Sequence, residues 1–126
     1  MTAGSELRST NIIVTALGGE GGGVLANWLI EVANANDWTV QSTSLAGVAQ
    51  RTGATIYYLE IFTRADIKDS LPIMSLSPTQ GDIDIAISSE IAEAGRMLQR
   101  GFVTPDRTTV ISSSHRVYAI DEKTEI

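Results

Sequence analysis

Apolar residues gather in short runs along this chain, separated by glycine-rich and polar stretches. Asn11 to Leu17 (NIIVTAL) is short and rich in β-branched residues, and glycines follow it, so it predicts a buried strand. Beyond the glycines, Val24, Leu25, Trp28, Leu29, Val32 and Ala33 recur at helical spacing. They predict an amphipathic helix with those residues facing inward, ending in the turn-formers Asn34 to Asp37. Trp38 to Ser44 alternates and predicts a second strand, and Ala46 to Gly53 a loop. Ala54 to Thr63 (ATIYYLEIFT) carries the strongest strand signal. A polar link through Pro72 leads to Ile73–Leu76, read as a short edge segment, and then to a strand at Ile83 to Ile87.

The second half repeats the strand-then-helix pattern. Ser88-Ser89 reads as a helix N-cap with Glu90 complementing the positive helix start. That helix runs to about Arg100 with Ile91, Ala94 and Leu98 inward, and Gly101 closes it. Pro105-Asp106 marks a turn, Thr108 to Ser112 a strand, and Val117 to Ile120 a last extended piece. Strands alternating with helices predict one α/β domain over residues 11–126, with a mainly parallel, Rossmann-like layered sheet. Residues 1–10, small and polar, read as a flexible leader.

Composition narrows the function classes. The chain has 126 residues, is 43% hydrophobic and carries a net charge of −6. A single core is affordable at that size, whereas a general nucleic-acid surface needs clustered cations that an acidic chain lacks. There is no cysteine, which excludes disulfides, thiolate metal ligands and cysteine-held iron–sulfur clusters on this chain. No apolar run approaches the roughly 20 residues that span a bilayer, and the first ten residues lack the apolar core of a secretory signal. A cytoplasmic protein with neither membrane nor nucleic-acid partners is the expectation.

The chemistry-bearing feature is Gly18-Gly19-Glu20-Gly21-Gly22-Gly23, between a strand and a helix. Glycines permit close backbone approach, and the first helical N–H groups point at an anion, so this arrangement suits phosphate. It fits G-x-G-x-x-G only loosely, with Ala16 where a first glycine often stands. Ser42 to Leu45 offer no ribose-binding acid after the second strand. The first lysine is Lys68, which excludes a P-loop. Two readings stay open: an anion cradle and a ligand-free βα turn.

Other residues have plainer roles. Arg51, between glycines, suits a carboxylate or phosphate, with structural or interface use the stronger reading. His115 is the only histidine, so no multi-histidine metal site exists, and Ser112 to Ser114 beside it lack a nucleophile elbow. Glu93 is expected to pair with Arg96 or with exposed neighbours of Met97, and Asp82 and Asp84 to open a strand. Trp28 reads as core, and Tyr57 and Tyr58 must lie on opposite strand faces.

Two segments in order, LGGEGGGVLANWLIEVA and SLAGVAQRTGATIYYLEIF, resemble the gamma domain of 2-oxoacid:ferredoxin oxidoreductases. That family has a G-x-G-G-x-G loop, an Ala-rich helix and a later G-M-x-Q-R-G-G segment, filled here by Gly47 to Gly53. The stretch from Ser88 to Glu125 is similar to the indolepyruvate branch, and the resemblance covers nearly all of residues 11–125. Departures are Ala16 and Thr52 for glycines and Leu45-Ala46 for a pair that often contains histidine. Gamma domains are usually longer, so the end at DEKTEI suggests a trimmed or incomplete domain.

The resemblance implies coenzyme A-dependent oxidative decarboxylation of a 2-oxoacid with electrons passed to ferredoxin. It also implies a chain that is inactive alone and works in an oligomeric assembly. Thiamine diphosphate and iron–sulfur clusters are then expected on partner domains, and this chain holds no catalytic residue and no metal. Carried over from the family, Gly18, Gly19, Gly21 and Gly22 are candidates for the coenzyme A pyrophosphate, and Arg51 for an anionic partner. The competing expectations are a stand-alone coenzyme A- or nucleotide-binding module and a structural scaffold fragment.

Overall fold

The computed structural model describes residues 9–17, 21–45, 54–63 and 80–114. Gly18, Gly19, Arg51, His115 and the segments expected at Ile73–Leu76 and Val117–Ile120 lie outside the described residues. Five strands and two helices are described: β1 (Thr10–Ala16), α1 (Gly22–Ala35), β2 (Thr39–Leu45), β3 (Thr55–Phe62), β4 (Ile85–Ser88), α2 (Ile91–Gln99) and β5 (Thr109–Ser112). The sheet order is β2-β3-β1-β4-β5.

The sheet is mixed. β1, β4 and β5 run parallel, while β3 is antiparallel to both β1 and β2. The reversal follows from chain length. A parallel crossover needs a dozen or more residues, and residues 46–54 between β2 and β3 are fewer than that. With β3 inserted between them, β1 and β2 still point the same way, joined by α1 across one face.

Strand alternation sorts the core onto two faces. Ile12 and Val14 of β1 with Leu59 and Ile61 of β3 pack under Ala26 and Ala33 of α1. Ile13, Ile56, Tyr58 and Ala86 pack under Met97 of α2, closed below by Ile83 and Val103. The order is thus helix, sheet, helix, with β1 at the centre and buried on both sides, Ile13 at 0% exposure.

Both helices are turned from the phase their periodicity predicts. On α1, Ala26 and Ala33 are buried while Val24, Trp28 and Val32 are 52%, 61% and 53% exposed. Leu25, Leu29 and Ile30 flank the buried line, so the small residues let α1 lie close to the sheet. Trp28 is therefore not a core residue. On α2, Ile91 and Leu98 are exposed, and Glu93 and Met97 are buried with Ala94 partly so. The cause on α2 is its N-cap, which is Glu90 rather than Ser88 or Ser89. The Glu90 carboxylate accepts from the Glu93 N–H at 3.0 Å. The second carboxylate is tied by Arg96 Nε, which donates to Glu93 Oε2 at 2.8 Å, the expected pairing.

Helix ends follow local chemistry. α1 stops at Asn36, whose side chain donates to the Val32 carbonyl at 2.8 Å, and Asp37 adopts φ 63. α2 ends in a Schellman arrangement: Phe102 N–H reaches Met97 O, Gly101 N–H reaches Leu98 O, and Gly101 takes φ 76.

Candidate functional site at the carboxyl edge of the sheet

The chain leaves β1 toward β2 over one face, and leaves β4 toward β5 over the other. The adjacent parallel pair β1 and β4 therefore forms a topological switch point, where open α/β sheets leave a crevice at the strand carboxyl ends. A crevice of about 260 Å³ stands there, lined by Thr15, Ala16, Gly21, Gly22, Trp28 and Ser88 among others.

The two helix starts beside this edge differ in kind. At α2, the Glu90 carboxylate already occupies the positive end, and the Ser88 hydroxyl donates to the Glu90 carbonyl at 2.7 Å. At α1, the N-cap is Gly21, no side chain caps the first turn, and no acidic residue lies in that turn. Among the described residues no side chain caps the first N–H groups of α1, so these are the anion-facing donors at the crevice. Thr15 Oγ1 and Ser88 Oγ sit 3.4 Å apart, both buried, and fix the floor between β1 and β4.

Gly21 and Gly22 are glycines for different reasons. Gly21 has φ 82, a left-handed conformation that L side chains rarely adopt, while a Cβ there would meet nothing within 4 Å. A Cβ on Gly22 would lie 2.6 Å from the Ala16 Cβ and 3.0 Å from the Tyr57 ring. Gly22 is required by helix–strand packing, and Ala16, where the family often has glycine, is its partner in that contact. Gly21 opens onto free space, and both glycines line the crevice.

Acidic residues expected at strand starts form a clamp at the opposite edge. Arg107 donates to Asp84 from Nε at 2.9 Å and from Nη2 at 3.1 Å, and to Asp82 from Nη1 at 2.6 Å. The Asn11 backbone N–H donates to Asp84 Oδ2 at 2.8 Å, joining β1 to the same group. The Asp84 hydrogen bond leads the causes that raise the Arg107 pKa above its ordinary value. This cluster is structural, and Arg107 escaped sequence reading because its partners lie more than twenty residues away. Among the described residues, no group of three or more His, Asp or Glu could hold a metal.

Tyr57 and Tyr58 do lie on opposite faces. Tyr58 is buried and its hydroxyl donates to Glu60 Oε2 at 2.7 Å. Burial first, then that hydrogen bond and the charges of Glu60, Asp82 and Asp84, push its phenol well above the ordinary tyrosine value. Tyr57 stands on the α1 face with its ring against Gly22 and Gly23.

The family model for pyruvate ferredoxin/flavodoxin oxidoreductase matches residues 11–125. The chain belongs to this family. No curated protein gives a significant match. The domains of pyruvate ferredoxin/flavodoxin oxidoreductases act within multi-domain or multi-subunit enzymes, so this oxidoreductase domain works with partner domains. No helix among the described residues is long and apolar enough to cross a membrane.

Gly21 and Gly22 follow the end of β1, as the strand–glycine–helix pattern predicts, and share the crevice with Thr15, Ser88 and Trp28, which that pattern does not assign to it. Thr15 and Ser88 meet only because β1 and β4 are neighbours, and strand order has no short-range signal. Trp28 was hidden by an apolar periodicity that fits either of two adjacent helix faces.

Proposed function

We propose that this chain is a gamma-type domain of an indolepyruvate-like 2-oxoacid:ferredoxin oxidoreductase, and that it contributes a coenzyme A contact to the assembly. The observation that carries the coenzyme A contact is the uncapped N-terminus of α1 at the switch-point crevice, with Gly21 opening its approach. A pyrophosphate is the part of coenzyme A that such an N-terminus suits, through N–H donors and the helix dipole. Gly18, Gly19 and Arg51 belong to the same reading by family resemblance. Gly22 supports it indirectly, by letting α1 start close to β1.

On this reading the reaction is oxidative decarboxylation of a 2-oxoacid with transfer of the acyl group to coenzyme A. Thiamine diphosphate and iron–sulfur clusters supply the carbanion and electron-transfer chemistry, and both sit on partner domains. This chain binds and positions; it needs no nucleophile of its own. Preference for an aromatic 2-oxoacid rests on the similarity of residues 88–125 to the indolepyruvate branch.

Reconstitution tests the proposal. The chain alone should turn over no 2-oxoacid. Mixed with the thiamine- and cluster-bearing domains of its enzyme, it should restore coenzyme A-dependent reduction of ferredoxin by indolepyruvate, faster than by pyruvate. Turnover by the partner domains that is indifferent to this chain would refute the assignment. A preference for pyruvate would refute the branch alone.

A further inference from the structure

A second groove, of about 280 Å³, opens on the other flank of α1, between that helix and the carboxyl end of β2. Ser42 and Ser44 stand on the α1 face of β2, where their register partners on β3 are Leu59 and Tyr57. From the helix side, Asn27 reaches the same groove, and Ala26 and Ile30 give it an apolar wall. The Tyr57 hydroxyl lies at the groove's inner end, 3.2 Å from where a Cβ on Gly23 would stand.

Four polar side chains thus converge, none of them charged. Among the described residues, the hydroxyls of Ser42, Ser44 and Tyr57 and the amide of Asn27 have no protein hydrogen-bond partner. Together they can donate and accept at several points, which suits a group that does both. In mononucleotide-binding folds the end of the second strand, beside the first βα turn, is where a sugar hydroxyl is held by an acid. Here β3 separates β2 from β1 and the polar side chains of the groove are neutral, so the group accepted is matched by hydroxyl and amide bonds rather than by charge.

We propose that this groove binds an uncharged, hydroxyl-bearing ligand group, held by Tyr57, Ser42, Ser44 and Asn27. A ribose ring and a hydroxy-amide chain of the pantetheine kind share that chemistry. Neither needs the anion contact proposed at the start of α1, so the groove can be tested apart from it.

The test is a proton–nitrogen NMR titration of the full, isotope-labelled chain with adenosine and, separately, with pantetheine. One of the two should shift the backbone amides of Asn27, Ser42, Ser44 and Tyr57 saturably, and which one does so identifies the source. Tyr57→Phe keeps the ring that packs on Gly22 and Gly23, and removes only the hydroxyl. It should weaken that binding about threefold to tenfold, the size of one neutral hydrogen bond. Ser44→Ala should act likewise, and unchanged spectra elsewhere would verify the fold of both variants. Absence of shifts with both probes, or binding indifferent to both substitutions, would overturn the proposal. Groove binding without any coenzyme A binding would uphold it while refuting the coenzyme A contact.

Discussion

Gly22 packs the start of α1 against β1 and β3 as well as lining the crevice. Its missing Cβ lets Ala16 and the Tyr57 ring close on the start of α1. Gly22→Ala should destabilise the chain by about 1–3 kcal/mol through overpacking, measured by urea denaturation. Gly21→Ala should cost only about 1 kcal/mol of left-handed strain. Equal losses would mean that the close contact at Gly22 relaxes freely. Tyr58 makes a second prediction at this scale. Its raised pKa means that the folded state keeps the phenol proton where the unfolded state loses it. The corresponding stability is complete below the ordinary value of 10.0 and is lost as pH rises from there toward the raised folded-state value. Above about pH 10 the wild type should therefore lose stability more steeply than Tyr58→Phe, and parallel pH profiles would contradict this.

Element by element, the chain was legible in kind and order but not in rotation. Every described strand and both described helices fall where alternation and helical spacing put them, because turn-formers and glycines bound each run. The facing of the helices was not legible. Val24, Trp28 and Val32 form as good an apolar line as Leu25, Leu29 and Ile30, and only contact with the sheet through Ala26 and Ala33 chooses between them. Ala-lined helices bury little of their own area, so apolar periodicity misleads there. On α2, the same failure comes from a buried carboxylate: Glu93 turns inward because Arg96 and the Glu90 cap satisfy their neighbourhood. Two substitutions separate core from surface. Ile13→Ala should cost about 2–5 kcal/mol, as for any fully buried aliphatic side chain. Trp28→Ala should stay within about 0.5 kcal/mol, as for a surface change. A large stability loss at Trp28 would show that the indole is buried.

At the scale of the whole molecule, what escaped the sequence is strand order. A mainly parallel sheet was expected, and β1, β2, β4 and β5 share one direction; β3 alone returns antiparallel, because residues 46–54 are too few for a crossover. On its other side β1 pairs with β4, and that pairing creates the switch point where Thr15, Gly21, Trp28 and Ser88 meet. The glycine loop was visible from the residues alone; the second wall of its crevice comes from seventy residues further on and could not be. Topology also assigns the two helix starts different duties, one closed by its own glutamate and one open.

The open start of α1 is the centre of this account, and calorimetric titration with coenzyme A tests it most directly. Wild type, Gly21→Asn and Gly21→Asp should be compared side by side. Asparagine and aspartate both tolerate the left-handed conformation at φ 82, so the two variants differ mainly in charge. Wild type and Gly21→Asn should bind saturably, and Gly21→Asp should bind at least about tenfold more weakly, because its carboxylate competes for the same donors. Binding that is equal in all three would contradict an anion held at this helix start.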